Sequence, residues 1–200
     1  AHWNLACLAQ ALLPLLGEDE GAAIDAAKQA IGSFSEQFDA AYLAGMRSKL
    51  GLTEKRDGDL ALAQDLLRRM EEHKADFTLT FRGLCGLRAV GPDADGPVKR
   101  LFENPAAFED WAIQWRRRLA DEHQTDAERQ AAMGTVNPAV IPRNHLVEEA
   151  IDAAAETGDF SEFEALLSVL ASPYEDQPKY STYTQPPRND QIVRQTFCGT

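Results

Sequence analysis

The chain has 200 residues and a mass of 22.0 kDa, a size that indicates one folded domain, or one domain followed by a tail. Aspartate and glutamate number 32 against 20 lysines and arginines, and the formal charge of -12 opposes binding to nucleic-acid phosphates or to anionic membranes. No apolar run reaches the roughly 20 residues that span a bilayer.

The three cysteines are scattered along the chain. Cys7, Cys85 and Cys198 have neither the CxxC spacing of a zinc or thiol-redox motif nor the density of a disulfide scaffold. No secretory signal is visible at the amino end. We therefore expect a reducing compartment, the cytoplasm, with no nucleic-acid partner and no membrane.

Helical periodicity dominates the first half of the chain. A leucine stripe over 5–15 predicts the first helix, which Pro14 should kink or end. A longer stripe over 24–50 predicts one long helix, with Gly32 as the place for a bend. A shorter stripe predicts a further helix over 60–70. Phe77, Leu79 and Phe81 alternate as in a strand, but the spacing within 77–84 also fits a helix, and the all-helical neighbourhood favours a helix.

The second half opens with a segment, 91–97, whose glycines and prolines predict a loop. Asn104 as N-cap and Pro105 at the first helical position then predict a helix. The expected buried face of that helix consists of Phe108, Trp111, Trp115 and Leu119. A capping box of Thr125 and Glu128 predicts a short helix ending near Gly134.

Residues 142–171 have the pattern of an antiparallel helical hairpin. Gly158 should end the first helix, and Ser161 with Glu164 can cap the second. The apolar side chains of the second helix are expected to face back on the first: Phe163, Leu166, Leu167 and Leu170. We predict a mostly α fold: a helical domain over 1–171, which includes the hairpin, and an extended tail over 172–200. The tail holds four of the ten prolines and three of the four tyrosines, and we expect its aromatics to pin it.

Residues that could perform chemistry are sparse. The four histidines are isolated, and no phosphate-binding glycine loop or nucleophile motif occurs, so we expect no catalytic residue, cofactor or metal on this chain. Residues 146–165 carry seven acids and no Lys or Arg, which is either a docking face for a basic partner or, more commonly, a solvated helix surface. Cys198, third from the carboxyl end, is either a redox-active thiol or an incidental cysteine.

Several short blocks, in the same order along the chain, resemble the carboxyl-terminal part of the selenoprotein O family. The blocks are Trp3-Asn4-Leu5, Ala40-Ala41-Tyr42-Leu43, Lys49-Leu50-Gly51-Leu52, Ala75-Asp76-Phe77-Thr78-Leu79-Thr80-Phe81-Arg82, Asn137-Pro138, Arg143-Asn144 and Pro173-Tyr174. The resemblance extends over essentially the whole chain. It departs from the family pattern at Cys7, where an arginine is expected, and at the Gly199-Thr200 end, where serines are more usual.

The resemblance implies a kinase-like, pseudokinase fold that transfers AMP from ATP, with a divalent metal such as Mg²⁺, to hydroxyl groups of other proteins. It also implies that the nucleotide- and metal-binding residues precede this chain, so the isolated piece is predicted to be a non-catalytic helical bundle. Cys198 takes the family's redox position and is thought to pair with a cysteine of the missing catalytic part. The implied partners are that catalytic part and the protein substrates of the whole enzyme.

Two other hypotheses remain. The chain could be a non-catalytic interaction module whose acidic hairpin is the docking face. Trp3 and the apolar first helix could also lack their native cover, which would favour a homodimer formed through the exposed apolar surface.

Overall fold

The computed structural model describes residues 1–193, which form α-helices and two short 3₁₀ helices but no β-strand. The α-helices are α1 (His2–Leu16), α2 (Glu20–Gly32), α3 (Phe34–Leu50), α4 (Asp59–Glu72), α5 (Phe77–Leu84), α6 (Gly96–Lys99), α7 (Pro105–Leu119), α8 (Asp126–Val136), α9 (Asn144–Thr157) and α10 (Ser161–Leu170). The 3₁₀ helices are Pro178–Thr184 and Asn189–Gln191. The predicted mostly α class is confirmed.

Contacts divide the chain into two compact units, Ala1–Gly45 and a second that begins at Met46. The predicted division at residue 171 is a different one and stays a prediction. Within residues 1–193, no helix is both long and apolar enough to cross a bilayer.

The first unit contains α1, α2 and most of α3. Pro14 lies inside α1, which continues to Leu16. The prediction of one long helix over 24–50 was wrong, because Ser33 separates α2 from α3 immediately after the expected bend at Gly32. The Ser33 hydroxyl donates a hydrogen bond to the Ala30 carbonyl (2.9 Å), a local bond of the kind that competes with regular helix.

The core of the second unit is built around α7, whose predicted buried face is confirmed. Trp111 and Trp115 stack with ring centroids 5.8 Å apart and are fully buried. Their indole N–H groups donate to the carbonyls of Leu62 (3.0 Å) and Leu50 (2.9 Å). Because each buried N–H has a partner, both tryptophans add apolar contact without an unsatisfied polar group.

Local capping signals place the neighbouring helices. The Asn104 side chain accepts from the Ala106 amide at the start of α7, and both bonds of the predicted Thr125 and Glu128 capping box are present at α8. The expected helix over 77–84 is α5. The single turn α6 lies at the end of the segment 91–97 that was predicted as loop, where Pro97 suits the first turn of a helix.

The predicted hairpin is present as α9 and α10. Gly158 ends α9 in the left-handed conformation, with φ of 70°. Ser161 does not cap α10 as predicted, because it is already the first helical residue. Its backbone N–H instead donates to the Asp159 carboxylate (2.9 Å), so the acid one residue beyond Gly158 satisfies that group.

The described part of the tail packs on a small cluster of its own. Tyr180 and Tyr183 contact buried Ala139, Val140 and Val169. The amide of Ala139 donates to the Pro173 carbonyl at 2.8 Å. Residues 178–184 form a 3₁₀ helix and so do not have the extended conformation predicted from the prolines.

Candidate functional site

Cys198, the one site residue predicted from the sequence, lies outside the described residues, so its redox role stays a prediction. The other two cysteines differ in environment: Cys7 is exposed on α1, and Cys85 is half-buried after α5. Burial raises the pKa of the Cys85 thiol, against the smaller effect of a hydrogen bond from Asn137. Cys85 is therefore held as a neutral thiol, the unreactive form.

Residues 1–193 contain no group of three or more His, Cys, Asp or Glu side chains that could hold a metal ion. His2 contacts the Ser35 hydroxyl (2.9 Å) on the exposed surface, whereas His145 is buried at the start of α9. His2 and His145 therefore lie in different environments.

A polar junction ties α3, α5 and α8 to the tail. We call it the Asn137 junction, and it consists of Lys49, Arg82, Asn137 and Asp176. Lys49 Nζ donates to Asn137 Oδ1 (3.3 Å), and Asn137 Nδ2 donates back to the Lys49 carbonyl (2.9 Å). Arg82 donates to the Asn137 carbonyl (3.1 Å) and to Asp176 (2.8 Å). Burial lowers the pKa of the Lys49 ammonium.

A second charged contact joins α5 to α9. The two terminal nitrogens of Arg143 donate to Asp76 at 2.7 and 3.1 Å, and the same carboxylate caps α5 by accepting from the Leu79 amide (2.8 Å). Burial raises the pKa of Asp76, but the bonds from Arg143 and the cap outweigh burial and leave that pKa lowered. A cavity of about 260 Å³ beside this pair is lined by Arg143, His145 and Gln191.

The third charged cluster centres on Asp59 at the start of α4. This carboxylate is fully buried and accepts from Arg47 Nε (2.6 Å), Arg118 Nε (2.7 Å) and the Arg56 amide (3.0 Å). Burial raises the pKa of Asp59, and the bonds from Arg118 and Arg47 outweigh it, so the pKa is lowered. The cluster fixes the ends of α3, α4 and α7 together.

The hairpin carries an open apolar surface. Between α9 and α10 lies a groove of about 390 Å³, which we call the hairpin groove. Its lining includes Ile151 (54% exposed), Phe160 (57%), Phe163 (49%) and Leu167 (56%). The floor of the groove is closed, because Ala150 and Leu166 line it and are buried, and Val169 of α10 is buried as well.

Residues 1–171 match the family described as protein adenylyltransferase SelO. The chain belongs to the SelO family. The resemblance to selenoprotein O seen in the sequence is thereby confirmed.

Relatives of the same family match the full length of the chain. The chain is similar to proteins named protein nucleotidyltransferase YdiU: 54% identical over 200 residues in Bradyrhizobium diazoefficiens, 52% over 198 in Nitrobacter winogradskyi and 52% over 206 in Methylorubrum extorquens. These matches cover 100%, 99% and 100% of this chain, but 40%, 39% and 41% of the relatives. The chain thus spans about two fifths of the length of its SelO-family relatives.

The blocks that carried the SelO resemblance contact one another in the fold. Lys49, Arg82 and Asn137 come from three separate blocks and meet at the Asn137 junction. Asp76 and Arg143 come from two blocks and form the ion pair. These residues join helices to one another.

Sequence reasoning missed the hairpin groove. Phe163 and Leu167 have the spacing of residues that face a partner helix, and they were expected to pack back on α9. The structure leaves both about half exposed. The available signal was the width of the stripe, since five large apolar residues on a ten-residue helix exceed what one facing helix can cover.

Proposed function

We propose that this chain is the helical carboxyl-terminal segment of a SelO-family enzyme that transfers AMP from ATP to protein hydroxyl groups. The family match over residues 1–171, together with coverage of only 40% of a relative, supports a segment of a longer enzyme. The observation that carries the supporting role is that the family blocks form the Asn137 junction and the Asp76 to Arg143 pair. In this proposal the segment braces a kinase-like, pseudokinase fold and does not perform the transfer.

The described residues do not fit a bound ATP with Mg²⁺. They provide no cluster of carboxylates or histidines that could hold the cation. Asp59 and Asp76, whose pKa values are lowered, are already paired with arginines. ATP and Mg²⁺ are therefore assigned to the remainder of the longer enzyme, and no step of the transfer is assigned to this chain.

The test of the proposed function is AMP transfer measured with ATP labelled at the α-phosphate, in the presence of Mg²⁺. We expect no label on this chain or on added proteins when the chain is alone, and labelling when the full-length enzyme is used. A full-length Asn137→Ala variant should lose transfer through loss of the junction. Transfer of label by the isolated chain, to itself or to another protein, would contradict the proposal.

We further propose that Cys198 regulates the full-length enzyme through a disulfide with a cysteine of the catalytic part. The support is its position third from the carboxyl end in a family member. Full-length enzyme should differ in activity between oxidised and reduced samples, and Cys198→Ser should abolish that difference. Cys7→Ser is the control, because Cys7 is exposed but is not at the tail. Equal redox dependence of both variants would remove Cys198 from the mechanism.

Three further assignments accompany this proposal. We place the protein in the cytoplasm, in keeping with the sparse cysteines. A homodimer through the first unit is supported by exposed Trp3 and Leu15 on α1. The alternative function, a non-catalytic interaction module, is favoured by one observation, the open hairpin groove.

A further inference from the structure

We propose that the hairpin groove binds an amphipathic helix of a partner protein, with Lys and Arg on both sides of the apolar stripe of that helix. This binding does not depend on AMP transfer, because every residue that forms the groove lies between 147 and 170. Three properties favour this partner: the shape of the groove, the position of its acids and the charge of the whole hairpin.

The shape suits a helix. The groove lies along two antiparallel helices, and its floor and walls are aliphatic and aromatic side chains. α9 has 14 residues and is about 21 Å long at 1.5 Å per residue. A partner helix of about four turns would therefore fill it with side chains at i, i+3, i+4 and i+7, the usual pattern of helix-in-groove binding.

Two acids flank the open side of the groove. Successive helical residues are rotated by about 100°, so Glu148 lies about 60° around α9 from Ile151, on its outer side. Glu164 has the same relation to Leu167 on α10. In an antiparallel pair these two rotations lead to the same face of the hairpin, the face that the burial pattern leaves open. The groove therefore has an apolar centre and one carboxylate along each rim.

The charge of the hairpin selects the partner. From 144 to 171 there is no Lys or Arg, and seven acids lie within 146–165. A second copy placed groove against groove would bring these acids together without a compensating cation, and anionic lipid would be repelled for the same reason. A helix with cationic flanks would instead meet opposite charge on both rims, which favours the encounter and fixes its orientation.

The probe is a fluorescently labelled synthetic helix of about 15 residues, with leucines at the i, i+3, i+4 and i+7 spacing and lysines on both sides of them. Its dissociation constant for the 200-residue chain is measured by anisotropy. A peptide of the same composition in scrambled order is the control for unspecific attraction to an acidic protein. The same measurement is made on the full-length enzyme.

Four variants locate the binding face. The double variant Ile151→Gln with Leu167→Gln keeps side-chain size at two half-exposed positions but replaces apolar side chains of the groove with polar ones. Glu148→Lys and Glu164→Lys each reverse one rim charge. Glu156→Lys is the matched control, because Glu156 makes the same charge change on α9 but lies about 180° from Val147, away from the groove. Circular dichroism confirms that every variant keeps its helices.

We expect the striped peptide to bind and the scrambled one to bind at least about tenfold more weakly. The Ile151→Gln and Leu167→Gln double variant and each rim-charge variant should raise the dissociation constant by about fivefold or more, and Glu156→Lys by less than about twofold. Equal binding of both peptides, or equal effects of Glu148→Lys and Glu156→Lys, would overturn the proposal.

Two other outcomes would assign the groove to a different occupant and so overturn a partner helix. One is binding to the 200-residue chain but not to the full-length enzyme, which would show that the enzyme covers the groove with its own chain. The other is a concentration-dependent dimer in sedimentation velocity that the Ile151→Gln and Leu167→Gln double variant abolishes, which would show a second copy in the groove.

Discussion

Two glycines of the second unit, Gly51 and Gly58, have backbone conformations that residues with a side chain rarely adopt. Gly51 is the strongest example, because it follows α3 with φ of +71°, and a Cβ built there would lie 2.7 Å from both Arg129 Cγ and Met133 Sδ. Gly58 has a similar φ of +91° but has no atom within 4 Å of that position. The two glycines therefore separate the cost of backbone conformation from the cost of a clash.

Gly51→Ala is expected to lower the free energy of unfolding by about 3 kcal/mol, the sum of a left-handed alanine and overpacking against α8. Gly58→Ala should cost about 1 kcal/mol, because only the backbone conformation is unfavourable. Urea unfolding followed by circular dichroism measures both. If the two variants are equally stable, close packing at Gly51 has no energetic weight.

The buried Asp59 carboxylate should make the free energy of unfolding depend on pH. Its pKa is lowered in the folded state, so its contribution to stability is complete above the ordinary carboxyl pKa of about 4 and is lost as pH falls through the folded pKa. Asp59→Asn should cost about 3 kcal/mol at pH 7, because partly buried Arg47 loses its carboxylate partner and partly buried Arg118 keeps only Glu122.

The difference between Asp59→Asn and the unaltered chain should shrink as pH falls below about 4, because the unfolded chain then binds a proton at this carboxyl that the folded chain, with its lowered pKa, does not yet bind. Asp57→Asn is the control at an exposed neighbouring acid and should change little at any pH. Urea midpoints measured from pH 3 to pH 8 give the comparison. A difference that stays constant across this range would show that Asp59 does not titrate with folding.

Among the helices, caps and charged contacts decide how the elements are joined. The Asp76 carboxylate both caps α5 and binds Arg143 of the hairpin, whereas the Asn104 side chain caps α7 and makes no second contact of that kind. The same local role, an N-cap, therefore contributes very different amounts to stability, depending on whether the capping side chain also binds a residue of another element.

Asn104→Ala should lower the free energy of unfolding by about 1 kcal/mol, the usual cost of a lost N-cap. Asp76→Ala should cost about 3 kcal/mol or more, because buried Arg143 would also lose its partner. Thermal and urea unfolding measure both variants. A cost at Asp76 no larger than that at Asn104 would mean that the ion pair adds nothing to the cap.

Some features of the helices could be predicted from the sequence, and others could not. Apolar periodicity and caps were sufficient for α7, α8 and the hairpin, because helix formation there depends on neighbours three or four residues away. The spacing in α5 fitted a strand as well as a helix, and the helix was predicted from its helical neighbours. The break at Ser33 was missed, since it depends on a single side chain bonding to its own backbone. The half-exposed state of Phe163 does not follow from its spacing, which is the same for a covered and an uncovered residue; only the width of the apolar stripe on α10 indicated that part of it would stay exposed.

At the scale of the whole molecule, the apolar surface of the first unit makes a prediction about association. Trp3 is 78% exposed and Leu15 is 80% exposed on α1, and a groove of about 310 Å³ lies between α1 and α2. Exposed apolar surfaces of this kind are usually covered in the functional state.

The contacts that create the candidate site join residues that are far apart in the sequence. Asp76 and Arg143 are 67 positions apart, so their pairing could not be predicted from the spacing of residues along the chain.

The isolated chain is expected to form dimers through the first unit, with a sedimentation coefficient that rises with concentration. Trp3→Glu with Leu15→Glu should give a monomer, because it places charge on the apolar surface. Val90→Glu is the control, since Val90 is equally exposed but belongs to the second unit. A monomer at every concentration of the unaltered chain would reject the dimer.

The contacts that anchor the described part of the tail limit which cysteines could form a disulfide with Cys198. The Asp176 carboxylate accepts from Arg82, and Tyr180 and Tyr183 pack against the cluster of Ala139, Val140 and Val169. Gln191 donates to Glu149 at 2.8 Å, so the described tail is anchored to within two residues of Val193. Covalent geometry allows at most about 3.6 Å per residue, which places the Cα of Cys198 within about 18 Å of that of Val193. A disulfide adds about 6 Å between Cα atoms. Any cysteine that can be joined to Cys198 without unfastening the tail must therefore lie within a sphere of about 24 Å radius centred on Val193.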